Sequence, residues 1–191
     1  MKGKFLALLT TLVVLTVSFV VLQPIAQPYR VEITLSEEAP LSALAEVRSR
    51  TPTTLRTVIT GIDGEDLVRE YSEPALRREV ELLGLYPDHE NRVIFEFTDT
   101  DGAMHRIVRS VKSDPLPELY PEIELEWFDR EPRRGELLFM HLAAYDSDGE
   151  YRPIASAIDG HGKVRWFYDG EFGHLLRRIS NGNFIIEREE G

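Results

Sequence analysis

Between residues 158 and 191 turn and strand signals follow one another so closely that only a β-sheet architecture accommodates them. Asp159-Gly160-His161-Gly162 is dense in residues that accept positive φ or bond their own backbone. Lys163-Val164-Arg165-Trp166-Phe167-Tyr168 follows, a β-rich run that alternation arranges with Val164, Trp166 and Tyr168 on one face. Asp169-Gly170 breaks this strand, and residues 174–180 lead into Asn181-Gly182-Asn183, a tight turn ahead of Phe184-Ile185-Ile186. Two hairpins in about 30 residues match the size of a four-stranded propeller blade.

The chain upstream also reads as β. Val31-Glu32-Ile33-Thr34-Leu35, residues 92–98 and residues 104–111 alternate with period two. Gly61-Ile62-Asp63-Gly64 and Asp99-Thr100-Asp101-Gly102 fall between such runs at hairpin spacing, so residues 28–113 suit a small antiparallel sandwich. Residues 73–83 allow a helix by pattern, because Ala75, Leu76, Val80 and Leu83 recur at roughly helical spacing. Pro115, Pro117 and Pro121 hold the backbone extended and mark the end of the sandwich. Beyond them Ile123, Leu125 and Trp127 alternate with acidic residues, and residues 137–144 form an apolar run fit for a strand buried on both faces.

The N-terminus speaks to compartment. After Lys2 and Lys4, residues 5–22 carry no charge, and as a helix they would reach about 27 Å, enough to span a bilayer. Pro24 two positions before Ala26 makes a poor cleavage site, so residues 1–27 read first as an uncleaved signal anchor, with a cleaved signal peptide as the alternative; either way the lysines are cytoplasmic and the rest outside. The net charge of −11 disfavours nucleic acid as a partner. There is no cysteine, which removes disulfides and thiolate chemistry.

Asp-Gly-x-Gly-x-Val-x-Trp, a following His and Leu-x(4)-Asn-Gly-Asn before an apolar strand resemble a repeat of the bacterial arylsulfotransferase family. Ala39-Pro40-Leu41-Ser42-Ala43-Leu44, the Gly61–Gly64 turn and, most specifically, Leu83-Gly84-Leu85-Tyr86-Pro87-Asp88 followed by Asn91 and Val93 are similar to that family's N-terminal domain. The resemblance implies an all-β chain: an N-terminal membrane or signal helix (1–27), an Ig-like β-sandwich (28–113), then a linker and about one blade of an incomplete β-propeller (114–191). It further implies transfer of a sulfuryl group from a phenolic ester to another phenol, without a nucleotide donor or other cofactor, through a transiently sulfated histidine. Such a protein belongs on the periplasmic side of the bacterial cell envelope, held in the inner membrane by residues 5–22.

His174, seven residues before Asn181, is the one histidine whose place matches a blade histidine of the family, and it is the candidate catalytic residue; a packing or surface role is its competitor. His141 reads as a core histidine and His161 as a solvated one, while Arg177 and Arg178 suit either an anion or a charged strand edge. No metal site is expected: the histidines form no i,i+4 pair, and the Asp-x-Asp-Gly turns place glycine too early for a calcium loop. Neither a nucleophile elbow nor a dinucleotide loop is present.

Two functions fit. In the first the chain is the front of an arylsulfotransferase-like protein, expected to be inactive alone because one blade cannot close a ring, with a homodimer or a second chain completing the propeller. In the second it is a membrane-tethered extracytoplasmic interaction module without catalysis.

Overall fold

The computed structural model describes residues 28–62, 64, 66–124, 136–145, 147–170, 173, 176–178 and 184–187. The expected anchor (1–27), Leu125, Trp127, His174 and the Asn181-Gly182-Asn183 turn lie outside the described residues. Among the described residues there is no helix long and apolar enough to cross a membrane, and every regular element is a strand.

The sandwich is organised by one long strand. β1 (Tyr29–Leu35), β2 (Ser42–Ile59), β3 (Leu67–Leu83), β4 (Glu90–Asp99) and β5 (Met104–Lys112) form a single antiparallel sheet in which β2 pairs with three neighbours. On one edge β2 carries β1 along residues 43–49 and β4 along residues 53–59, while β3 follows its other edge with a register shift between Arg48 and Leu55. That irregularity divides the sheet into two leaves, and the leaves face each other. Tyr29 of β1 stacks on Phe97 of β4, with ring centroids 4.6 Å apart.

Alternation sets what lies between the leaves. Val31, Ala43, Ala45, Val47, Leu55, Val80, Leu82, Val93, Phe95 and Phe97 point inward and are buried in one cluster, as period two requires of strands with one core face. This bears out the all-β reading with an Ig-like sandwich. Residues 73–83 are strand rather than helix, because the long edge of β2 supplies a backbone partner almost throughout. Their apolar spacing resolves into Val80 and Leu82 facing the core and Leu76 left 53% exposed.

The remaining strands make two further sheets. β6 (Leu138–Tyr145), β7 (Tyr151–Ile158) and β8 (Val164–Phe167) form a three-stranded antiparallel sheet, and β9 (Leu176–Arg178) pairs with β10 (Phe184–Ile186) in a separate hairpin. Among the described residues the two hairpins read as one blade fall in separate sheets: β8 ends before Asp169-Gly170, where Asp169 N–H is bonded to Glu38 C=O of the sandwich at 2.8 Å. The apolar run of β6 is not buried on both faces. Among the described strands its one partner is β7, Leu138 is half exposed and Ala144 is its buried residue.

The core does not stop at the sandwich. Ile154, Ile158, Val164 and Phe167 belong to the same buried cluster as the sandwich interior, and Leu116, Leu119, Tyr120 and Ile123 of the proline-rich segment pack against it. Replacing Phe95, fully buried between the leaves, by Ala is expected to cost about 3–5 kcal/mol. Leu76→Ala on the outer surface is expected to cost less than about 0.5 kcal/mol; urea denaturation of the two variants measures the contrast.

Candidate functional site

Interior polar groups concentrate where the sandwich meets the three-stranded sheet, and the first stretch of this junction is the loop after β3. Gly84 has φ 94°, and a Cβ there would collide with Leu67 Cδ1, so the chain can turn this close to its own sheet only with glycine. Tyr86 follows, and the buried side-chain amide of Asn91 takes both its backbone groups: Tyr86 N–H donates to Oδ1 at 2.7 Å and Nδ2 donates to Tyr86 C=O at 3.0 Å. Asn91 Nδ2 also reaches His89 C=O at 3.1 Å and Ser113 Oγ at 3.1 Å, while the Ser113 hydroxyl donates to Tyr86 C=O. One amide used at both ends thus replaces the strand partner that the loop lacks.

The second stretch is β8. Ala157 pairs with Trp166 and Ile158 with Val164, which leaves Arg165 as the extra residue of a β-bulge, and the bulge re-aims its side chain. The simple alternation expected of this strand is broken there: Val164 and Phe167 join the main core, whereas Trp166 packs with Tyr168 and Ala155. Arg165 is fully buried. Its guanidinium donates from Nε and Nη2 to Gly84 C=O at 2.9 and 2.7 Å, and from Nη1 to Tyr86 Oη at 2.8 Å and Asp159 Oδ2 at 3.1 Å. It lies 3.7 Å from the centroid of the Tyr86 ring.

Asp159 completes the node. Its Oδ1 accepts the backbone N–H groups of His161 and Lys163, each at 3.0 Å, and its Oδ2 takes Arg165. Burying either charge alone costs several kcal/mol. Here the charges offset each other and both carboxylate oxygens are bonded, the condition under which such a pair is tolerated.

Third, the proline-rich segment contributes Tyr120. Its hydroxyl donates to Ser156 Oγ, whose own proton goes to Trp166 C=O at 3.0 Å. Burial pushes the Tyr120 hydroxyl above the usual phenol range, with the Ser156 hydrogen bond acting in the opposite direction. Beside the node opens a cleft of about 540 Å³, walled by Tyr86, Pro87, Leu116 and Tyr120, with His89 and Lys163 also lining it. Its apolar walls suit an aromatic or aliphatic body, and Lys163 and Glu122 add one charge of each sign. They do not make a nucleophile with its base.

The histidines singled out in the sequence are not brought together. His174 lies outside the described residues. His141 is exposed on β6 rather than held in the core, with Nε2 3.2 Å from Tyr151 Oη; the edge position of β6 is the reason. His161 is exposed in the turn before β8, as expected. His105 stacks on Tyr29 at 4.7 Å and His89 packs edge-on to Tyr86. Arg177 is exposed on β9, and the side chain of Arg178 is outside the description. Sequence reasoning overlooks the node itself, since alternation places Arg165 opposite Val164 and Trp166 with no hint of complete burial. The available signal was a pairing of motifs, an Asp-Gly turn whose Asp precedes an in-strand Arg by six residues.

The family profile described as arylsulfotransferase Ig-like domain matches residues 25–113. That span contains all five strands of the sandwich and ends on Ser113, the hydroxyl that helps close the Tyr86 loop. Residues 25–113 are an Ig-like domain of the arylsulfotransferase type. No curated protein matches the chain. The Leu83-Gly84-Leu85-Tyr86-Pro87-Asp88 string that carries the resemblance is the part of the Ig-like domain that receives Arg165 of the following sheet.

Arg165→Met leaves Asp159 buried without its counter-charge and is expected to destabilise the junction by about 3–5 kcal/mol. Adding Asp159→Asn is expected to recover part of that loss, and hydrogen exchange is expected to show β7 and β8 losing protection before β2 and β4. Alkaline titration probes Tyr120, and Tyr29, whose hydroxyl is also raised, by burial and then by Asp99. A folded value above the unfolded one means that the stabilisation is complete below about pH 10. It is lost as pH climbs through the folded value. Tyr120→Phe is expected to flatten the alkaline part of the stability profile, measured by denaturant midpoints from pH 8 upward.

Proposed function

We propose that this chain is the N-terminal portion of an arylsulfotransferase-like protein, in which the Ig-like domain serves as the scaffold that fixes the first strands of a catalytic β-propeller. The observation that carries the reading is Arg165. A residue of β8 fills the hydrogen-bonding vacancy of Gly84 in the Ig-like domain and stacks on Tyr86, so the following sheet is held in place by a buried, geometry-specific contact rather than by a linker. The core cluster shared by both parts supports it as well.

In this reading the reaction is sulfuryl transfer from a phenolic sulfate ester to a phenol. The ester S–O bond breaks as a histidine nitrogen bonds to sulfur and the donor phenol departs as phenolate; the acceptor phenol then gives up its proton as its oxygen bonds to sulfur, and cleavage of the N–S bond frees the histidine. Residues 136–170 supply the beginning of the propeller and position it, and the histidine chemistry belongs to strands beyond them. The arylsulfotransferase Ig-like domain stands on the periplasmic side of the bacterial envelope, with residues 5–22 as the anchor.

The test is release of p-nitrophenolate from p-nitrophenyl sulfate with phenol as acceptor, using the purified full chain. No turnover above buffer is expected, because none of the described residues forms a nucleophile with its base. Turnover lost in His174→Ala would overturn the scaffold reading by placing the catalytic histidine within this chain.

A further inference from the structure

The cleft beside the Arg165 node carries two charges that the junction does not use. Glu122 reaches it from the proline-rich segment and Lys163 from the turn ahead of β8. Both residues are exposed, so the charges stand at its rim. Among the described residues the ion pairs involve neither side chain, and the two are not in contact with each other. A carboxylate and an ammonium are thus held at one cleft, on different elements, with no counter-charge for either.

The walls between them are apolar and fixed. Pro87 and Leu116 line the cleft together with Tyr86 and Tyr120. Tyr86 is clamped by Asn91 and Arg165. Tyr120 is hydrogen-bonded to Ser156 and packs edge-on to Phe167, with ring centroids 5.7 Å apart. Lys163 is pinned through its backbone, whose N–H donates to Asp159 Oδ1 at 3.0 Å and whose C=O accepts from Asp159 N–H at 2.9 Å. His89 also lines the cleft and is turned edge-on against Tyr86 at 5.9 Å. A space of about 540 Å³ with walls held in this way has little to reorganise when a guest enters.

Charge decides which guest fits. A neutral aromatic molecule would satisfy the walls and leave both charges partly stripped of water. An anion would gain Lys163 and meet repulsion from Glu122, and a cation the reverse. A molecule with an aromatic body and one charge of each sign complements the walls and both rim groups together.

We propose that the cleft is a binding site for a small aromatic zwitterion of the α-amino acid kind, its carboxylate directed to Lys163, its ammonium to Glu122 and its ring to the apolar walls. Those walls come from the sandwich, the proline-rich segment and the turn before β8, so the bound molecule ties three parts of the chain together and stabilises their junction. The inference is independent of the scaffold reading, because it holds whatever sheet follows β8.

Saturation-transfer NMR titration of the purified full chain tests it with three probes. L-phenylalanine carries both charges, 3-phenylpropionate only the negative one and 2-phenylethylamine only the positive one. L-phenylalanine is expected to bind with a Kd of about millimolar, the range open to a ligand of about a dozen non-hydrogen atoms. The two singly charged probes are expected to bind about fivefold more weakly. Glu122→Gln is expected to bring L-phenylalanine down to the level of 3-phenylpropionate, and Lys163→Met to that of 2-phenylethylamine. The melting temperature of the unliganded protein is expected to stay unchanged in both variants, because both side chains are exposed. Absence of saturable L-phenylalanine binding overturns the proposal. So does a singly charged probe that binds the unaltered chain as tightly, which would leave one rim charge idle, or a preference that survives both variants, which would place the guest on another surface.

Discussion

The guanidinium of Arg165 is the group on which the arrangement of this molecule depends. A cation with no exposed surface has to find acceptors within the protein, and it finds them in two elements far apart in sequence: the Gly84 carbonyl and Tyr86 hydroxyl on one side, the Asp159 carboxylate on the other. Each acceptor is itself held in place. Gly84 is fixed by a backbone conformation that a side chain would obstruct, Tyr86 by Asn91, and Asp159 by two backbone N–H groups of its own turn. The planar fork of arginine then converts three local restraints into one orientation between the sandwich and the next sheet.

Hydrophobic burial fixes the two parts less specifically. Val164 and Phe167 share a core with Val93 and Phe95, and contacts of that kind tolerate sliding as long as area is conserved. The directional bonds to Gly84 do not. Together they explain how a strand of four residues, β8, can be held firmly with little pairing of its own.

The sandwich was legible because its strands show one face to the core, so Val31, Val93, Phe95 and Phe97 announce themselves by period two. The loop Leu83–Asp88 was legible as a family signature, although its physical purpose was not. Residues 73–83 gave an ambiguous signal: a strand with a long partner can carry apolar residues at almost any spacing, and the edge that β2 provides decides the matter. Residues 137–144 misled in the opposite direction, since an apolar run reports composition and not the number of neighbouring strands. Arg165 could not be read at all, because a bulge shifts the alternation by one residue and nothing in Val-Arg-Trp-Phe marks where the extra residue sits. Burial of this charge is a property of a strand meeting a loop and a turn, and each of them is unremarkable alone.

The stacking of Tyr29 has a mechanical meaning. Tyr29 opens β1 and is the first described strand residue of the chain, and its ring contacts Phe97 and His105 on the opposite leaf. Tension applied at residue 28 would enter through this ring as well as through the backbone ladder to β2, so the load divides between both leaves at the point of entry instead of peeling β1 away from one edge.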